Sequence, residues 1–232
     1  MLQTTHIFIN LQKKKKMTTS TAEKLTSFSL FSGISTEKLE KFVAETPIQQ
    51  RSFDAGSVIF IQGAVCESLH LLVGGIARAV MMNADGKQVT IEEMSSPRII
   101  APAALFAGRN VFPVNIVAVS DCGILFVPKN DFLSLMRQEP SVMSGFIELL
   151  SDKSIFLSMK INSFALQTLK ERLASYLLSG NERHTQKEIA EMLGVTRPSL
   201  ARILAELIDE GCIAVRNRKI EILDKKKLED RR

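Results

Sequence analysis

Cysteine and histidine are scarce in this chain of 232 residues. The three cysteines, Cys66, Cys122 and Cys212, lie far apart, and no C-x-x-C occurs. That spacing speaks against a disulfide framework and offers no cysteine set for zinc or an iron–sulfur cluster. Free thiols suit a reducing cytoplasm, where the protein is expected to reside. The three histidines, His6, His70 and His184, form neither H-x-H nor H-E-x-x-H. Catalytic metal chemistry therefore has little to build on, and no metal is expected. No apolar run approaches the roughly 20 residues that a membrane span requires, so no membrane partner is expected. What is present is ordinary globular material, 45% hydrophobic and 24% charged, enough for a real core.

Charge is informative once divided. The net +5 includes four lysines in a row, Lys13 to Lys16. Residues 17–164 hold 12 Lys/Arg against 14 Asp/Glu, and residues 165–232 hold 14 against 11. The positive surplus of the folded chain thus lies at its C-terminal end, as in a nucleic-acid-binding tail domain. The opening MLQTTHIFINLQKKKK places charge after the apolar stretch, the reverse of a secretory signal. Residues 1–16 are expected to be a disordered leader, with Met17 the natural start. A basic arm touching DNA is the alternative.

Residues 20–46 read as helical. Ser35-Thr36-Glu37 supplies a cap and an acidic first turn, Leu39, Phe42 and Val43 form an apolar stripe, and Pro47 ends it. From 48 to 128 the character changes to short β-branched and aromatic runs separated by glycine: Ser57–Gln62, Leu69–Val73, Ile76–Met82, Val89–Met94, Asn115–Val119 and Gly123–Val127. This spacing predicts an antiparallel sandwich or barrel. Asp85-Gly86 is a hairpin signal between two of the runs. A cupin-type enzyme shares this class but needs several inward histidines and carboxylates. His70 is the region's sole histidine, expected as a strand residue meeting backbone or solvent.

Residues 141–164 return to a helical period. Met143, Ile147, Leu150, Ser154, Leu157, Ile161 and Phe164 follow alternating spacings of four and three, a heptad seam with one polar break. A second stripe holds Phe146, Leu149, Phe156 and Met159. Apolar on two faces, this helix is expected to bury one face on the β domain and the seam against a second copy of the chain. A core helix of one domain is the plainer alternative.

The segment HTQKEIAEMLGVTRPSLARILAELIDEGCIAV begins at His184. Thr185 with Glu188 forms a capping box. Gly194 marks a turn, Thr196 caps a second helix, and Pro198 sits where first-turn amides lack acceptors anyway. Leu200, Ile203, Leu204 and Leu207 form one buried face, and small Ala190 lies where the helices cross: a helix-turn-helix. Arg197, Ser199 and Arg202 lie opposite the apolar stripe, on the turns that enter a major groove. Arginine pairs bidentately with guanine, while Thr185, Thr196 and Ser199 can donate to phosphate. Two short β runs, Cys212–Val215 and Ile220–Leu223, flank the basic tip Arg216-Asn217-Arg218-Lys219, the wing of a winged helix placed to meet phosphate.

With FDAGSVIFIQG (53–63), LLVGGIARAV (71–80), the long helix and GVTRPSLARILAEL (194–207), the chain from about residue 25 resembles the Crp/Fnr family of transcription regulators. The last segment is similar to the family's recognition-helix signature. The resemblance implies an α+β chain. An antiparallel β-roll sensor, a jelly roll like a cyclic-nucleotide-binding domain, occupies 17–138, a dimerisation helix 139–164, and a winged helix-turn-helix 165–232. It also implies a homodimer on a pseudo-palindromic promoter, with RNA polymerase as partner and no enzymatic activity. Arg197 and Arg202 match the family's recognition arginines. Pro198 stands where many members carry a glutamate, so the half-site should differ from theirs.

The sensor departs from the family's nucleotide pattern, F-G-E-L followed by R-S-A. Pro102 falls at the glutamate's place, with Ala103 beside it in the expected pocket, and Phe112-Pro113-Val114 falls at R-S-A. An apolar pocket offers nothing to offset a buried phosphate, so cyclic AMP is not expected. Arg109 is the remaining phosphate candidate, three positions displaced. The chain is similar to the family's nitrosative-stress, haem-responsive branch, so haem with nitric oxide, or an apolar ligand, stays open, with His70, Met94, Met143 or Cys66 as axial candidates, as does the absence of any small ligand. Two other classes compete: the cupin-type enzyme fused to a helix-turn-helix, and a dimeric scaffold whose tail binds protein.

Overall fold

A computed structural model describes residues 21–82, 88–180, 184–216 and 219–231. The lysine run, the leader and Met17 lie outside the described residues. The N-terminal helical stretch is broken rather than continuous: residues 21–26 are helical, a 3-10 turn follows at Ser29–Phe31, and α1 spans Thr36–Glu45. Ser35 caps α1 by accepting from the Lys38 amide, and Leu39 and Val43 are buried.

Among the described residues eight strands follow: β1 (Gln49–Phe53), β2 (Val58–Phe60), β3 (Ser68–Gly74), β4 (Ile76–Met82), β5 (Gln88–Ser95), β6 (Arg98–Ile100), β7 (Asn115–Ala118) and β8 (Cys122–Pro128). They form two four-stranded sheets, ordered β1-β8-β3-β6 and β2-β7-β4-β5. The predicted antiparallel β architecture is thus present. Strand β3 is central in the first sheet, with Leu71 facing Leu125 on one side and Ile99 on the other. The β3–β4 turn needs Gly75, at φ +86°, because a Cβ there would stand 2.0 Å from the Asp121 carbonyl oxygen. Strands β4 and β5 are sheet neighbours, while Asp85-Gly86 lies outside the described residues.

Between the strands a short α2 (Pro102–Phe106) appears, and after β8 come α3 (Lys129–Gln138) and α4 (Pro140–Leu166). The Phe146 ring of α4 meets Phe132 edge-on at 5.3 Å and Phe106 at 5.7 Å. The expected second buried stripe holds only at its start. Phe146 is buried and Leu149 half-buried, but Phe156 and Met159 are exposed, because the elements that cover Phe146 belong to the first half of the helix alone.

The C-terminal part comprises α5 (Leu169–Leu178), α6 (Gln186–Met192), α7 (Arg197–Asp209), β9 (Ile213–Arg216), β10 (Lys219–Ile222) and α8 (Lys225–Glu229). Its core is built on Leu173, Leu177, Ile189, Leu200, Leu204 and Leu207. Each such side chain contributes roughly 1.5–3 kcal/mol by leaving water. Contacts divide the chain into two compact units, Met1–Ala79 with Glu93–Lys153, and Val80–Glu92 with Ser154–Arg232. Among the described residues no helix is long and apolar enough to cross a membrane.

Candidate nucleic-acid interface and sensor pocket

Each helix of the predicted helix-turn-helix starts where its cap is written. Thr185 Oγ1 accepts from the Glu188 amide, and Glu188 Oε2 accepts from the Thr185 amide at 2.8 Å, a reciprocal box that opens α6. Gly194 takes φ +67° at the turn, and the Val195 amide donates to the Ala190 carbonyl at 2.9 Å. Thr196 opens α7 by accepting from the Ser199 amide, and its hydroxyl pairs with that of Ser199 at 2.9 Å. These hydroxyls are therefore already engaged in capping, and phosphate would share them.

Leu200, Ile203, Leu204 and Leu207 bury one face of α7. Arg197 and Arg202 are exposed, and the Arg202 side chain retains 76% of its accessible surface. Arg202 Nε lies 4.0 Å from Glu206, which also stands 3.8 Å from Lys170 Nζ. Lys170 donates to Glu210, which Arg231 meets at 3.2 Å. The hydrogen bond from Lys170 holds the Glu210 carboxyl below its ordinary range, against a smaller opposing effect of burial. At the wing, Arg216 is exposed with Nη1 3.7 Å from Glu221. Strands β9 and β10 pair in antiparallel register from Ile213–Ile222 to Arg216–Lys219. Asn217 and Arg218 at the tip lie outside the described residues.

Sequence reasoning missed α5 and the charged residues it carries, Lys170 and Arg172. The signal was present: Thr168 and Glu171 form the same kind of capping box as Thr185 and Glu188. Arg172 donates Nη1 to the Leu193 carbonyl at 2.7 Å, and burial lowers its pKa.

In the β-roll, the residues predicted around an effector part company. Pro102 and Phe112 are buried and Val114 is half-buried, whereas Ala103, Arg109 and Pro113 are exposed. Ala101, which precedes α2, holds a left-handed φ of +46°, strained for a residue with a Cβ. The Phe112 ring stacks on Phe60 at 4.2 Å and lies 5.3 Å from His70. His70 also meets Phe60 at 4.4 Å and Phe126 at 5.0 Å. The expectation that its ring meets backbone or solvent is therefore corrected: it is 4% exposed, caged by phenylalanines from three other segments. Burial pushes its pKa down from 6.5 to about 4, so the imidazole is neutral at pH 7. Its Nδ1 faces Cys66 Sγ at 4.0 Å, and burial raises that thiol.

This pair does not fit a haem as its axial ligands. A porphyrin would need the space on His70 and Cys66 that the three rings and the thiol–imidazole contact already fill. Met94 is buried and Met143 exposed. Among the described residues no group of three or more His, Cys, Asp or Glu is arranged to hold a metal. A cavity of about 410 Å³ lies elsewhere, between α1 and α3, lined by Lys38, Lys41, Phe42, Glu45, Asp131 and Glu139 among others, none of them expected at a functional site.

Along α4 the seam residues stand bare. Met143, Ile147, Ser154, Leu157 and Ile161 are exposed, Ile161 to 69%, and Leu150 is half-buried. Scattered apolar residues on a surface are unremarkable, whereas an exposed apolar row along one helix face is of the kind proteins use for contacts.

Residues 50–139 match the family described as the cyclic nucleotide-binding domain, and residues 171–231 match the Crp-like helix-turn-helix domain. The cyclic AMP receptor protein of Thermus thermophilus is 24% identical over 215 residues, spanning 87% of this chain and 95% of its own. The global nitrogen regulator of Synechococcus elongatus is 23% identical over 193 residues, spanning 77% and 87%. Among solved structures, one described as a Crp/Fnr-family transcriptional regulator from Eubacterium rectale shares the fold. Its TM-score is 0.69 at 23% identity, over 88% of this chain and 97% of that one. Sensor-like β-roll, long helix and DNA-reading tail occur here in that family's order, and the chain belongs to the Crp/Fnr family of transcription regulators, which are not enzymes.

Proposed function

We propose that the protein is a cytoplasmic homodimer that binds a pseudo-palindromic promoter site through paired α7 helices and acts on RNA polymerase there. The functional division is 17–138 for the sensor, 139–164 for dimerisation and 165–232 for DNA. The carrying observation is the exposure of Arg197 and Arg202 opposite the buried leucine face of α7. Two arginines on the first turns of such a helix suit guanine O6 and N7 in the major groove. Pro198 lacks the acceptor that many relatives offer to cytosine, so the half-site differs. Arg216, Asn217, Arg218 and Lys219 would contact phosphate, supported by Thr185, Thr196 and Ser199.

The bare α4 stripe supports the dimer. A second copy would cover Met143, Ile147, Leu150, Leu157 and Ile161, with Ser154 as the polar break that fixes register. Cyclic AMP is not the effector on this reading. Phe112 fills the family's arginine position and is buried among rings, so a cyclic phosphate would meet no cation there. Some other ligand, or none, sets activity.

Sedimentation equilibrium with and without a duplex selected from a random pool tests the dimer. Two chains per duplex are expected, and single chains on the duplex would refute it. Calorimetric titration with cyclic AMP should give no saturable heat. Binding that weakens steeply with salt separates DNA recognition from a protein-binding scaffold.

A further inference from the structure

Arg172 has no role in the reading above, yet three elements of the C-terminal unit meet at it. It lies in α5, and its Nη1 donates to the carbonyl of Leu193, the residue that ends α6. Its guanidinium stands 5.0 Å from the centroid of the Phe164 ring, near the end of α4. The next residue after Leu193 is Gly194, where a Cβ would come within 3.1 Å of Phe164 Cε1. Gly194 also has φ +67°, so the turn and the ring both require its hydrogen side chain. The ring therefore fills the notch that glycine leaves, and the arginine covers the ring.

Helix packing alone does not call for this residue. Arg172 Nε is buried without a partner, which costs free energy in a group with five donors. A lysine could reach the carbonyl, but only a planar guanidinium can donate edgewise while stacking on a ring. The corner between α6 and α7 is the point about which α7, and with it Arg197 and Arg202, is aimed. A guanidinium held there at that cost fits a group whose task is placement.

We propose that Arg172 is a positioning residue for DNA reading, pinning the helix-turn-helix corner to Phe164 so that the end of α4 sets the aim of α7. This rests on α7 being the recognition helix. A displacement of Phe164 would then move the corner, giving any event that reaches the long helix a direct route to the arginines.

The test uses the full chain, a duplex recovered from a random-sequence pool with the wild type, and a scrambled duplex of equal length. Arg172→Lys should weaken binding to the selected duplex by about tenfold, because an ammonium cannot keep the carbonyl hydrogen bond and the ring contact at once. The scrambled duplex should change by less than about twofold, since phosphate contacts are untouched. Phe164→Leu should give a similar selective loss, and the double variant should be no worse than either single one. Amides 193–195 should exchange faster in Arg172→Lys while those of β9 do not. Wild-type affinity for the selected duplex in Arg172→Lys overturns the proposal. So do equal losses on both duplexes with a lowered melting temperature, which would mark a purely structural role, and additive losses in the double variant. If the wild type itself fails to discriminate duplexes, the DNA reading falls on its own. Exchange at 193–195 then still decides the pinning, and unchanged rates reject it.

Discussion

The β-roll and the C-terminal unit treat polar chemistry in opposite ways. In the roll, the one titratable ring sits inside a phenylalanine cage and is kept neutral, and Phe112, which the family resemblance aligns with a phosphate-binding arginine, is a stacked phenylalanine. In the C-terminal unit, Arg197, Arg202 and Arg216 stand on the surface, and the buried face of α7 is wholly apolar. On the function proposed above, the contrast teaches that one family architecture can keep its output chemistry while closing its input to cyclic nucleotides. Recognition of DNA needs exposed guanidinium groups on a firm helix, whereas a sensor site must be hollow and polar to take a charged nucleotide.

The hardest blow to that contrast is to put the charge back. Phe112→Arg places an unpaired cation at a site 1% exposed and should lower unfolding stability by on the order of 3–5 kcal/mol in urea titration. A stable variant that binds cyclic AMP would erase the distinction between the two regions. Next in size is protonation of His70. Its folded pKa of about 4 lies below the unfolded value of 6.5, so the unfolded chain takes up the proton first. Stability should therefore fall as pH drops from about 6.5 to about 4, by on the order of 3 kcal/mol, and level off below. Urea midpoints across that range, compared with His70→Phe, isolate the effect. Equal pH dependence in the two proteins would mean that the ring is not caged.

On the exposed side, Arg202→Ala should cost roughly 1–3 kcal/mol at one base pair of the half-site while leaving other positions unchanged. A uniform loss over all sequences would make Arg202 a phosphate contact. The smallest effect belongs to Arg216→Ala. It should weaken all duplexes alike by less than about 1 kcal/mol and reduce the salt slope by about one. Base-selective loss there would move sequence reading into the wing.

Legibility followed the range over which each signal acts. The helix-turn-helix was readable because its caps, its glycine turn and its leucine face lie within 25 residues of sequence, and each sits where the pattern put it. Strands β2, β3, β4, β5, β7 and β8 were readable from short β-branched and aromatic runs. Strand β1, QQRSF, was not: it is an edge strand with no fully buried residue, specified by its pairing to β8 rather than by its own pattern. The short β6, α2 and α8 carry too few residues to show a period. The candidate sensor site was half legible. That Phe112 replaces a cation could be seen, but the cage around His70 could not, since Phe60, Phe112 and Phe126 come from separate segments. Arg172 escaped for the same reason, as Phe164 and Leu193 reach it from either side of α5.

The three free thiols are all buried, Cys66 and Cys122 in the roll and Cys212 beside β9, where its amide donates to the Leu207 carbonyl. A maleimide in solution can reach none of them until the surrounding structure opens. Their labelling rates are then clocks for the local unfolding of two different regions, running in one tube without an engineered probe. A bound promoter duplex should slow the Cys212 clock and leave the other two ticking at their own pace.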